Sequence, residues 1–163
     1  MIKRKTIIGI MGPGDHAKEK DVENAHELGR MIAENKWVLL TGGRNVGVMD
    51  AASRGAQEAG GLVIGVMPGP DTSETSDYVD IAIITNMGSA RNSINVLTSD
   101  VVIACGIGSG TASEIALALK AEKNVILFSD NEESKAFFRK LDEQKIHIAR
   151  TRQEVIEKIK DLL

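Results

Sequence analysis

The stretch "DVVIACGIGSGTASEIALALKAE", Asp100 to Glu122, decides how the chain folds. It opens with "VVIAC" (Val101–Cys105), an unbroken apolar run of the kind a strand shows when both its faces are buried. It closes with "TASEIALALKAE" (Thr111–Glu122), which reads as a helix. Between the two lie Gly106, Gly108 and Gly110, with the hydroxyls of Ser109 and Thr111. Strand, glycine-rich turn and helix form the unit from which parallel α/β sheets are built.

The same unit recurs on either side. Strands are predicted at "TIIGIM" (Thr6–Met11), "WVLLT" (Trp37–Thr41), "LVIGVM" (Leu62–Met67), "IAIIT" (Ile81–Thr85) and "VILF" (Val125–Phe128). A small seventh is predicted at "IHIA" (Ile146–Ala149). The first helix is predicted over Asp21–Asn35, where Val22, Ala25, Leu28, Ile32 and Ala33 keep a helical spacing. Others are predicted over Val48–Gly60, Ala90–Ser99, Lys135–Leu141 and Gln153–Leu163. The strands are continuous apolar runs, so helices are expected above and below one sheet. The predicted architecture is α/β: a doubly wound, mostly parallel sheet in a single domain over residues 1–163. No proline-rich linker, repeat or low-complexity tract divides it.

Composition narrows the function. A chain of 163 residues, 42% hydrophobic, is large enough for a full core. A net charge of -3 argues against a general nucleic-acid binder, and 3% aromatic content leaves few stacking platforms for bases. One cysteine allows no internal disulfide and fits a reducing, cytoplasmic setting. The apolar run after "MIKRK" is too short for a signal segment, and no stretch approaches the roughly 20 apolar residues of a membrane helix. Neither nucleic acid nor membrane is an expected partner.

In doubly wound sheets, ligands bind outside the carboxyl ends of the strands. Four loops there stand out. "MGPGD" (Met11–Asp15) places Gly12 and Gly14 around Pro13. "TGGRNVGVM" (Thr41–Met49) supplies Gly42 and Gly43, and Arg44 as a fixed charge before a helix. "PGPDTSETSDY" (Pro68–Tyr78) is long, acidic and rich in hydroxyls; its 71–77 segment is read either as a lid or as a solvated loop. The fourth is the opening stretch, where backbone amides with Ser109 and Thr111 can cradle a phosphate.

Two readings stand for Glu114. Thr111-Ala-Ser-Glu114 fits a capping box, in which the carboxylate reaches back to the helix start; otherwise it faces a ligand. Arg91, in "GSARNSIN", has the planar fork suited to phosphate oxygens. Cys105 reads as an inert core thiol. His16, His26 and His147 have no metal-ligand spacing, and no metal site is expected.

Three segments carry a resemblance: "IIGIMGPG", "TGGRNVGVMDAASRGAQEAGGLVIGVMPGP" and "GSARNSINVLTSDVVIACGIGSGTASEIALALKA". Together they resemble the molybdenum cofactor carrier proteins, within the LOG-type or lysine decarboxylase-like Rossmann superfamily. The resemblance runs from about Ile7 to the final helix. The superfamily's mark is a PGGxGTxxE loop preceded by an Arg-Lys pair. Gly108, Gly110, Thr111, Glu114 and Arg91 stand where it wants them, whereas Gly106 and Ile107 replace its proline and first glycine, and Asn92 replaces its lysine.

The resemblance implies a Rossmann-like, non-catalytic carrier. It would hold the molybdenum cofactor at Gly12, Gly14, Gly42, Gly43, Arg44, Arg91, Asn92, Gly106, Gly108, Ser109, Gly110, Thr111 and Glu114. It also implies molybdenum enzymes as recipients and a homo-oligomer, dimer or tetramer. The alternative is a nucleoside 5'-monophosphate phosphoribohydrolase with Arg91 and Glu114 as catalytic residues. Ile107 is expected to discriminate the two by restricting phosphate approach. The small residues of "ASRGAQEAGG" and "EIALALKA" permit close helix packing, between subunits or within one.

Overall fold

The computed structural model describes residues 4–163; residues 1–3 of the predicted domain lie outside the described residues. In chain order the elements are β1 (Ile7–Met11), α1 (Glu19–Glu34), β2 (Val38–Thr41), α2 (Gly47–Glu58), β3 (Val63–Met67) and β4 (Ile81–Ile84). A 3-10 turn (Gly88–Arg91) leads into α3 (Asn92–Thr98). Then come β5 (Val101–Cys105), α4 (Ser109–Lys120), β6 (Val125–Phe128), α5 (Glu132–Leu141), β7 (Ile146–Ile148) and α6 (Arg152–Leu162). The strands form one sheet in the order β4-β3-β2-β1-β5-β6-β7, every neighbouring pair parallel.

The continuous apolar runs are explained by two core layers. Ile8, Ile10, Val101, Ile103 and Ile126 face α1, α2 and α6, where they meet Leu28, Ile32, Ala52 and Ile156. Met11, Val102, Ala104, Val125 and Leu127 face the other way, against Val96 of α3, Ile115 of α4 and Phe138 of α5. Each fully buried Ile or Leu contributes roughly 2–3 kcal/mol of transfer free energy. Because β1 hands the chain to α1 on one face and β5 hands it to α4 on the other, their loops part between the two strands. That is the topological switch point, and it opens a crevice.

One expectation changes, and two open readings find an answer. "IAIIT" was expected as a buried strand, but β4 is an edge strand and exposes Ile81, Ile83 and Ile84. The segment 71–77 is no free lid. It belongs to a non-helical crossover that carries the chain from β3 to its parallel neighbour β4. It is docked on the β2–α2 loop and the first turn of α2: Asn45 N donates to Glu74 O (2.9 Å), Ser76 N to Gly43 O (2.9 Å), and Ser76 Oγ to Asp50 Oδ1 (2.7 Å). Finally, the small residues of α2 serve the interior. Ala51, Ala52, Gly55 and Ala56 are buried, and the Cα of Gly55 sits so close to His26 O of α1 that a side chain would collide with it.

Candidate functional site

The β1–α1 and β2–α2 loops are locked together. Gly47, at φ +54°, lies against the carbonyls of Pro13 and Gly14, and Val48 N donates to Pro13 O (3.0 Å). Across the switch point, α4 begins at Ser109 with Gly108 as its N-cap and no side-chain cap. Its first N–H groups therefore point outward as a ready anion site.

This start overturns the capping-box reading. The helix begins two residues before Thr111, so Glu114 is too far along it to reach back. The Glu114 side chain instead turns inward, 7% exposed, and Oε1 accepts from Asn95 Nδ2 of α3 (2.9 Å). Burial pushes its carboxyl above the usual glutamate range, opposed by the Asn95 hydrogen bond and the Arg91 charge.

Arg91 is half-buried and pinned. Nε donates to Val66 O (2.9 Å), Nη2 to Gly42 O (3.4 Å) and Nη1 to Asn92 Oδ1. Burial draws its guanidinium below the ordinary arginine value without threatening its charge. Asn92 Nδ2 donates in turn to Ser113 Oγ (2.9 Å), which ties α3 to α4. Arg44 spans Asp15 and Glu74, 3.6 Å from each.

These groups line one cleft of about 460 Å3 at the switch point. Gly12, Gly14, Gly42, Arg44, Arg91, Asn92, Gly108, Ser109, Gly110, Thr111 and Glu114 all face it. Gly43 and Gly106 do not. Gly43, at φ +81°, packs on Gly65 and Met67, and Gly106, at φ +74°, packs between Asp21 and Pro13. Both shape the loops from behind.

Ile107 is also absent from the lining and packs into the core layer around Ile115. It does not narrow the cleft, so the expected discrimination by its side chain fails. Nor is the cleft positively biased by side chains: Arg44 and Arg91 face Asp15, Glu74 and Glu114. The exposed Asp15 and Glu74 engage Arg44, which leaves Arg91 and the α4 amides as groups with the chemistry to take an anion. Thr111 Oγ1 is buried without a hydrogen-bond partner among the described residues, a polar atom left for a ligand to engage.

Sequence reasoning missed Met49, His16 and Asn95. Met49 and His16 line the cleft. Asn95 holds Glu114 from four residues past Arg91, one helical turn on, and that spacing was the available signal. His26 pairs with Glu58, and His147 meets Asn124. Cys105 is fully buried and its thiol is pushed up by burial, as an inert core residue should be. Among the described residues, no group of three or more His, Cys, Asp or Glu is placed to hold a metal ion. No helix there is long and apolar enough to cross a membrane.

The structure is similar to that of the molybdenum cofactor binding protein from the phototrophic bacterium Rippkaea orientalis, at 57% identity over 98% of both chains and a TM-score of 0.96. It is similar to the Moco carrier protein from Chlamydomonas reinhardtii, at 52% identity, again over 98% of both chains, with a TM-score of 0.92. A more distant relative is the cytokinin riboside 5'-monophosphate phosphoribohydrolase of Rhodococcoides fascians, 31% identical over 66% of this chain and 59% of that protein. Residues 5–156 match the profile of the SLOG cluster4 family, and the chain belongs to that family.

Proposed function

We propose that this protein is a molybdenum cofactor carrier: it binds the cofactor in the switch-point cleft, shields it and hands it to molybdenum enzymes. The observation that carries the reading is that the uncapped α4 start, Gly108–Thr111, and the pinned Arg91 face one cleft. The near full-length likeness to two proteins named for cofactor binding or carriage supports it. The cofactor's terminal phosphate would sit on the α4 amides, where Gly108 and Gly110 leave the backbone open. Arg91 would bind further negative charge. Glu114, Thr111 and Asn92 would meet the polar edge of the pterin. A carrier must release its cargo, and a cleft with balanced side-chain charge suits release better than a strongly cationic one.

The carrier works as a homo-oligomer, dimer or tetramer, assembled through the bare β4 edge. Ile81 is 46% exposed and Ile84 40%, on opposite faces of a strand with one open side. A reducing, cytoplasmic setting fits a chain with one buried thiol.

One observation favours a second reading, hydrolysis of a nucleoside 5'-monophosphate: Arg91 and Glu114 share the cleft, and Ile107 does not block it. A single pair of measurements separates the two. The protein is isolated without oxygen and mixed with a cofactor-free molybdenum enzyme, and separately incubated with AMP. Reconstitution without release of adenine is expected. Steady adenine release that is lost in Glu114→Ala, with no reconstitution, would replace the carrier by the hydrolase.

A further inference from the structure

A second cleft, of about 560 Å3, opens at the same carboxyl rim of the sheet, beyond β5. It lies between the ends of β6 and β7 and the first turns of α1, α5 and α6, and it shares no lining residue with the first cleft. The partition is thin. A side chain at Gly106 would meet both Asp21, which lines the second cleft, and Pro13, which lines the first.

Lys20, Lys135, Arg150 and Arg152 face this space, against Asp21, Asp130 and Glu132. Lys135 is the informative member. Its side chain is only 8% exposed, yet its one ion partner among the described residues is Glu132, whose own side chain is 83% exposed. An ammonium on a side chain this enclosed has three donors and few directions in which to find acceptors. A freely solvated carboxylate one turn away is a poor one. Lys20 likewise pairs with Asp130 (2.7 Å) although both are well exposed. Arg150 lines the cleft, and its hydrogen bond to Glu154 Oε2 (2.8 Å) is made by the backbone N–H, not by the guanidinium. Arg152 spends only Nε, on Asn24 Oδ1 (2.8 Å). So the basic side chains converge with donor capacity to spare, and their acidic partners are exposed enough to be displaced. Phe128 and Ala149 supply an apolar floor.

We propose that this second cleft is a binding site for a small phosphorylated molecule of nucleotide size, held by Lys135, Arg150 and Arg152 and separate from the cofactor cleft. The volume falls in the range of small-molecule sites. Guanidinium and ammonium groups around one hollow suit phosphoryl oxygens. The assignment does not depend on what the first cleft carries.

The test is titration of the whole isotope-labelled protein with ADP, followed residue by residue by NMR. Saturable shifts are expected at the amides of Ser129, Arg150, Thr151 and Arg152. Arg150→Ala, at an exposed position, should weaken that binding about tenfold, the scale of one charge-assisted hydrogen bond. Lys135→Met should do the same, and Arg91→Ala should leave these shifts unchanged. Absence of shifts at those amides with millimolar ADP would overturn the site. So would shifts that vanish in Arg91→Ala, or an affinity indifferent to Arg150→Ala.

Discussion

Gly106 and Gly110 stand four residues apart and do opposite work. Gly106 sits at φ +74° with Asp21 and Pro13 against its Cα, so Gly106→Ala should cost about 1–3 kcal/mol of stability. Gly110 lines the cleft, and a methyl group there would meet nothing within 4 Å among the described residues. Gly110→Ala should therefore leave stability within about 0.5 kcal/mol while weakening cofactor binding. Thermal melts and cofactor titration of both variants check the pair; equal melting losses would be the wrong result. Glu114 allows a pH experiment. Its folded pKa lies above its unfolded one, so the fold favours the protonated form. Its effect on stability therefore worsens as pH rises from the ordinary value of 4.5 through the raised folded pKa. Glu114→Gln keeps an acceptor for Asn95 and removes that penalty. The variant should gain in melting temperature over the parent as pH climbs through this window, and a constant difference would show that the carboxyl is not destabilised by burial.

At the scale of elements, Arg91 is a tie as well as a proposed binding group. It fastens the 3-10 turn to the carboxyl ends of β2 and β3 through Gly42 O and Val66 O. Arg54, on the outer side of α2, makes a loose pair with Glu58 at 3.9 Å. Arg91→Ala should lower stability by about 1–3 kcal/mol, since it leaves buried carbonyls unpaired, and should weaken anion binding. Arg54→Ala should do neither. Chemical denaturation and phosphate titration of both variants decide it, and equal losses of binding would mean that the cleft is not the anion site. The elements themselves were legible because their apolar runs and helical spacings are local signals. Helix starts were less so: α4 begins at Ser109 because the uncapped Gly108 can end a loop, whereas Thr111 looked like the better cap.

For the whole molecule, local sequence left open which apolar strand would lie at the edge. "IAIIT" and "VVIAC" are equally apolar, yet β5 is buried on both faces and β4 is bare. If the bare edge is the subunit contact, Ile83→Glu should shift the protein toward monomer in sedimentation while leaving its helical content intact. An unchanged assembly would place the contact elsewhere. The cleft too is a property of the whole. Its parts come from loops spread over residues 10–114, which meet only because β1 and β5 are neighbours.

By itself the sequence determined the α/β class, the succession of strands and helices, and the loops in which to seek a ligand. Those follow from periodicity and backbone chemistry within a few residues. Only the tertiary structure decided that Glu114 turns to Asn95 and away from its own helix start, that Ile107 points into the core, that the 71–77 segment is docked and that a second basic cleft exists. Each of these depends on which distant residues share a space, and side-chain direction at a loop is set by neighbours far away in the chain.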